Sequence, residues 1–237
     1  MIKGICKYPL VACRLEPNER SEMISQLLYG ESYEIIEEQS SWIKIKNLRD
    51  SYESWIDKKL HHAFVSPSEH SYIARHAFTE ISNASGKKMI VPAASIIHSK
   101  EKVDPSTESL IDTALKFLGA PYLWGGKSIW GLDCSGFVQL VFQIHGVDLK
   151  RDAYQQAELG EIVEFNDLIE AGDLAFFSKE NEAISHVGIC ISKEQIIHAS
   201  GEVRIDKLDH HGIYNEDIQS YSHKLRIVKR IKKAAEL

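Results

Sequence analysis

No two of the four cysteines stand as a C-x-x-C pair: Cys6, Cys13, Cys134 and Cys190 are scattered through 237 residues. That disfavours a structural zinc site, whose ligands come in closely spaced pairs. No apolar run approaches the ~20 residues of a membrane-spanning helix, so no membrane partner is expected. A basic excess is also missing. Lys and Arg number 28 against 34 Asp and Glu, a net charge of −6, and nucleic acid is not an expected partner. The first ten residues carry Lys3 and Lys7 but neither an apolar core nor a small-residue cleavage site. They do not read as a secretory leader, and a cytoplasmic location is the expectation. What is present is the composition of a globular protein, 43% hydrophobic and 26% charged.

The first sixty residues read as short strands. Tyr33, Ile35 and Ile36 lie in 31–37, and Ile43 and Ile45 alternate with Lys44 and Lys46. Trp55 and Ile56 lie in 52–57, and polar turns separate these runs. A small β-barrel over 1–63 is expected. Residues 64–105 are assigned to a β extension and a linker, with Ile90-Val91-Pro92 as an edge strand, because proline is tolerated at edges. Helical spacing begins after the polar run 99–105. Ser106 or Thr107 caps a stripe of Leu110, Ile111, Ala114, Leu115 and Leu118, and Gly119 and Pro121 stop it. A second helix runs from about Cys134 to His145 behind Asp133 as N-cap. Strands follow at 173–177, 186–191, 195–199 and 225–231. The last carries a basic run (Lys229, Arg230, Lys232, Lys233) expected on a solvated face. Helices before an antiparallel sheet make 106–237 an α+β domain.

Cys134 stands in the first turn of that second helix. Backbone N–H groups are unpaired there and the helix dipole is positive, so a lowered thiol pKa is expected. Gly125, Gly126, Gly131 and Gly136 allow tight turns and close approach of a substrate backbone. A thiol nucleophile needs a base. His186 and His198 stand on strands 12 residues apart, close enough in sequence for adjacent strands to bring the imidazoles together. One can take the thiol proton and the other can hold its tautomer and ring plane. Cys6, Cys13 and Cys190 sit among apolar residues and read as small buried hydrophobes. The pairs His61-His62 and His210-His211 read as loop histidines, since neighbours on a strand point to opposite faces.

The segments "PYLWGG", "LDCSGFV", "SHVGIC" and "IIHAS" resemble the NlpC-type bacterial cell-wall peptidases, of papain-like fold, over about 106–237. The resemblance implies that Cys134 is the nucleophile, His186 the general base and His198 its orienter. It implies helices packed on an antiparallel sheet and no cofactor. The order "YGESYEII…SWIKIK…YESWID" is similar to bacterial SH3-like domains. Some relatives joining both modules cut the γ-D-glutamyl–L-diamino acid bond of murein peptides that carry a free N-terminal L-Ala. By position, Asp133, Tyr52 and Glu22 (or Glu53 as second choice) then hold the substrate amine, and Ser135 and Tyr122 line the cleft. Ala153 stands where some relatives have a substrate-contacting serine, which puts that contact in doubt. The rival expectation is an inert cell-wall-binding protein that works through its SH3-like module.

Overall fold

The computed structural model describes residues 2–64, 70–82, 86–99, 108–164 and 168–231. It divides into two units, one of Met1–Thr107 with Leu123–Gly131 and one of Glu108–Tyr122 with Leu132–Leu237.

The first unit opens with β1 (Ile2–Ile5), β2 (Leu10–Arg14), β3 (Met23–Leu28), β4 (Ser32–Gln39), β5 (Trp42–Asn47) and β6 (Glu53–Asp57). These form the expected small barrel, one sheet in the order β1-β4-β5-β6-β2-β3. Period-2 alternation explains its core. Ile43 and Ile45 of β5 are fully buried, while Lys44 and Lys46 between them keep partial access to water. Cys6 and Cys13 join Val11, Leu27, Tyr33, Ile43, Ile45 and Ile56 in that core, as small buried hydrophobes. Gly30 turns the chain at φ +81°, where a Cβ would lie 2.1 Å from the Ile96 carbonyl oxygen, so no larger residue fits. Two ribbons follow. β7 (His70–Ile73) pairs with β10 (Ile96–Ser99), and β8 (Phe78–Ser82) pairs with β9 (Lys88–Pro92). Pro92 closes β9 opposite Phe78, at the edge position a missing N–H requires.

In chain order come α1 (Leu110–Leu115), the two-residue strands β11 (Lys127–Ser128) and β12 (Gly131–Leu132), α2 (Cys134–Ile144), α3 (Ala153–Gln156) and β13 (Glu161–Ile162). Then follow β14 (Leu174–Phe177), β15 (His186–Ser192), β16 (Gln195–Ser200), β17 (Glu202–Leu208), β18 (Gly212–Asn215) and β19 (Ser220–Arg230). The helix expected from Ser106 or Thr107 is shorter. Ser109 caps it, accepting from the Asp112 N–H, while Ser106 and Thr107 and most of the polar run 99–105 lie outside the described residues.

The sheet of the second unit runs β13-β19-β14-β15-β16-β17-β18, and β18 also pairs with β19. It therefore closes on itself instead of lying open under helices, and strands outweigh helix more than the spacing suggested. The cause is β19, eleven residues long. Its C-terminal part pairs with β14 and its N-terminal part with β18. Lys229, expected on a solvated face, is buried and donates to the Gly160 carbonyl at 3.5 Å. One face of the sheet closes on Ala175, Phe177, Cys190, Ile196, Leu208, Ile213 and Val228. Against the other lies α2, every residue of it buried, packed on β15 and β16. That burial seats the start of α2 beside the start of β15.

Candidate active site

Asp133 ends an extended segment at φ −88°, ψ 175° and caps α2, its Oδ1 accepting from the Gly136 N–H at 2.7 Å. Cys134 is thus the first helical residue, as its spacing implied. Its thiol donates weakly to the Ser185 carbonyl, Sγ to O 3.9 Å, and is also bonded at the Val187 backbone. Those two groups bracket His186. The expected lowering of the thiol is not what the structure gives. Burial, then the charge of Asp133, pushes Cys134 up to about 12, against smaller opposing effects of backbone hydrogen bonds and Arg151. A helix terminus offers a partial charge, and desolvation of a buried anion outweighs it.

His186 and His198 are brought together, Nε2 to Nδ1 2.8 Å, with ring planes 88° apart. His198 in turn bonds Asp206 from its other nitrogen, Nε2 to Oδ2 2.9 Å. Burial alone would raise the Asp206 carboxyl, but hydrogen bonds from His198 and Arg204 outweigh it and hold it below its ordinary value. A carboxylate only accepts, so His198 carries its proton on Nε2. Its Nδ1 then accepts from His186 Nε2–H, which leaves His186 Nδ1 as the free lone pair. The chain of bonds therefore sets which nitrogen can act as base. Burial, then the neighbouring His223 and His198, drives His186 well below 6.5, so it rests neutral.

Sequence reasoning missed Asp206, Arg204, His223 and Arg151. Arg204 stands directly across from His198 in the β16–β17 hairpin, and Asp206 two residues on shares its face. Arg204 holds the carboxylate through Nη2 to Oδ1 at 2.9 Å. The signal lay in "HASGEVRID": a Ser200-Gly201 turn fixes the register that lays Asp206 diagonally beside His198. His223 stacks on His186 with centroids 4.0 Å apart and planes at 22°. Register shifts at Phe176/Phe177 and at Ile213/Tyr214 bracket it on β19, and such bulges re-aim side chains. No local pattern announces that.

Arg151 is fully buried and reaches Asp133 Oδ1 at 3.0 Å and Ser135 Oγ at 2.9 Å, with a further bond to Asp133 Oδ2. Asp133, expected beside the substrate amine, therefore already faces a guanidinium. Ser135 is buried in the same network. Tyr122 is half-buried, and burial together with the nearness of Cys134 and Asp133 pushes its hydroxyl up to about 12, so it rests protonated.

In the first unit, Glu22 accepts from the Trp124 indole N–H at 2.5 Å. Glu53 is instead paired with Lys44 on the next strand at 2.9 Å. Tyr52 closes the turn after β5, its carbonyl accepting from Asn47 N–H at 3.0 Å. A Cβ on Gly125 would meet the Met23 carbonyl oxygen at 2.2 Å, and one on Gly126 the Gly131 oxygen at 2.3 Å. Those glycines answer to the protein's own backbone rather than to a substrate. Lys127, buried, reaches Glu31 at 3.3 Å and ties this segment to the barrel. His61 bonds the Tyr33 hydroxyl at 3.0 Å. Among the described residues no cluster of His, Cys, Asp and Glu is arranged to hold a metal ion.

Residues 119–222 match the NlpC/P60 family, and residues 14–59 match the bacterial dipeptidyl-peptidase SH3 domain. A γ-D-glutamyl-L-lysine dipeptidyl-peptidase of Bacillus subtilis (strain 168) is 36% identical over 126 residues, 52% of this chain and 42% of that protein. One of the same name from Bacillus cereus (strain ATCC 10987 / NRS 248) is 36% identical over 97 residues, 40% of this chain and 29% of that protein. The chain thus spans under half the length of these two relatives. Dipeptidyl-peptidase 6 of Lysinibacillus sphaericus is 26% identical over 254 residues, 86% of this chain and 91% of that protein. A crystal structure of an NlpC/P60 family protein from Bacillus cereus ATCC 10987 has the same fold, with TM-score 0.81 at 18% identity over 96% of this chain and 99% of that one.

Proposed function

Because the chain carries an NlpC/P60 domain behind a bacterial SH3 domain of the dipeptidyl-peptidase type, we propose that it is a cysteine peptidase of murein peptides, hydrolysing the γ-D-glutamyl–L-diamino acid bond. The observation that carries this is the Asp206–His198–His186 chain, which leaves His186 Nδ1 able to accept a proton, together with a helix-start cysteine whose thiol rests on the backbone groups either side of His186.

Cys134 gives its proton to His186 and attacks the carbonyl carbon of D-Glu. The tetrahedral oxyanion takes hydrogen bonds from the Cys134 backbone N–H and from a nearby donor, for which the protonated Tyr122 hydroxyl is suited. The imidazolium protonates the departing α-amine of the diamino acid as the C–N bond breaks, leaving a thioester on Cys134. Neutral again, His186 removes a proton from water, which attacks the thioester and regenerates the thiol. These steps call on no cofactor.

We assign recognition of a free N-terminal L-Ala to Glu22 and Tyr52, together with Asp133. The pairing of Glu53 with Lys44 favours Glu22 as the acid. A buried ammonium costs several kcal/mol unless charges and acceptors meet it, so an N-acetylated peptide should be refused. The substrate is then a released peptide and not intact wall, in keeping with a recycling role. Comparing kcat/KM for L-Ala-γ-D-Glu-L-Lys and its N-acetyl form tests this. A loss of roughly 100-fold or more on acetylation is expected, and equal rates would refute the amine assignment.

A further inference from the structure

The ring of His186 donates to His198, Nε2 to Nδ1 2.8 Å. A ring tied at one nitrogen can still pivot about that bond, and pivoting changes where Nδ1 points. His198 does not prevent this, because the two ring planes stand 88° apart and meet edge to face. Phe177 lies opposite His186 in the strand register, but its ring is tilted by 50° with centroids 5.8 Å apart. The flat face of His186 is covered by His223, 4.0 Å away and inclined by only 22°. Phe177 meets His223 edge-on at 6.1 Å and so buttresses both rings. His223 lies one residue beyond the 119–222 stretch that matches the NlpC/P60 family, so that match assigns it no role.

Covering a ring is ordinary packing. What sets this contact apart is the charge that His186 takes up. Its imidazolium forms when Cys134 gives up its proton, in a buried place that disfavours charge. The π face of an uncharged ring stabilises a cation laid against it, and more so where water is excluded. A charged neighbour would do the opposite. His223 is uncharged near neutral pH, since burial, then the nearness of His198, lowers it to about 4 against a smaller upward effect of Asp206.

We propose that His223 is a positioning residue for the reaction: its ring fixes the plane of His186, and its π face steadies the imidazolium that forms there during acyl transfer. The inference rests on the peptidase reading above and deepens it. The contact acts on a charge present only after the proton has moved, so it belongs to kcat and not to substrate binding.

The test measures kcat and KM on L-Ala-γ-D-Glu-L-Lys for the unmodified chain, His223→Phe and His223→Leu. Phenylalanine keeps a flat π face, and leucine keeps apolar bulk without one. His223→Leu should lose about tenfold in kcat with KM within about twofold, and His223→Phe should stay within about threefold of the unmodified chain. If the leucine variant does not fold, His223→Gln, which also lacks a ring, takes its place with the same expected loss. Alkylation of Cys134 by iodoacetamide at about pH 7 needs no peptide, and it should slow in the ringless variants and not in His223→Phe. A ringless variant with the kcat of the unmodified chain, a phenylalanine variant as impaired as the ringless one, or a loss confined to KM would each overturn the inference. Turnover of the peptide by no form overturns the murein-peptidase reading instead, and equal alkylation rates in all forms would then overturn the role of His223 as well.

Discussion

Burial makes either charge of the Cys134–His186 pair costly when formed alone, pushing the thiol up and the imidazole down. Passing the proton from sulfur to nitrogen creates both charges at once, each stabilised by the other, with Asp206 facing the imidazoles from the far end. On the reading proposed above, the thiolate forms only as its proton passes to His186 and is consumed by attack on the carbonyl. Iodoacetamide should alkylate Cys134 slowly at about pH 7 and faster toward about pH 10. The label must be located by mass spectrometry, since Cys13 and Cys190 are also raised to about 12. A rate already at its plateau below about pH 7 would contradict this. Asp206→Asn removes the acceptor-only end and with it the reason for the His186 tautomer. A loss of about 10- to 100-fold in kcat with little change in KM is expected, as for partners that orient a working histidine. His198→Ala should lower kcat further yet leave measurable turnover, and His198→Gln should keep part of it through an amide hydrogen bond. Full activity in the alanine variant would make His198 merely structural.

At the scale of the element, α2 was legible because its signals are local: Asp133 as cap, a 3.6-residue apolar period and Gly146 at the stop. The histidines were legible because each stands at the head or middle of an apolar strand. What holds them was not, because Asp206, Arg204 and His223 arrive through strand register and two bulges, which no single segment encodes. The Asp133–Arg151 pair escaped for the same reason, being joined by packing across 18 residues. That pair yields a stability test. Asp133→Asn keeps a capping side chain but removes the negative charge that faces the buried guanidinium, and a loss of roughly 3 kcal/mol is expected. Arg151→Met removes the positive charge that faces this buried carboxylate, to similar effect. The double variant should recover a large part of the loss in urea unfolding, because no lone charge is left buried. Additive losses would show that the two residues act independently.

For the molecule as a whole, the barrel was readable from β4 to β6, where apolar and charged residues alternate, and less so in β1 to β3, where the pattern is mixed. Stability should also carry the imprint of the histidine cluster. His186 and His223 both lie below the ordinary 6.5 in the folded chain, so the unfolded chain binds protons that the folded one refuses. Stability is then greatest above pH 6.5 and falls as the pH drops through the window from 6.5 toward about 4. Asp206, whose folded value is depressed, adds to the loss only at lower pH. Melting temperature recorded from about pH 7.5 to 4.5 should show the fall, and His223→Phe, which keeps a stacked ring and removes one titrating group, should make it shallower. An unchanged slope would remove His223 from the linkage. The central claim, that Cys134 carries the acyl half of a murein peptide, is tested most directly by intact-protein mass spectrometry of an acid-quenched reaction with L-Ala-γ-D-Glu-L-diamino acid. The expected result is a protein mass raised by one L-Ala-D-Glu acyl group, discharged by hydroxylamine and absent from Cys134→Ala, with free diamino acid in solution. Release of the diamino acid at the normal rate by Cys134→Ala would contradict it.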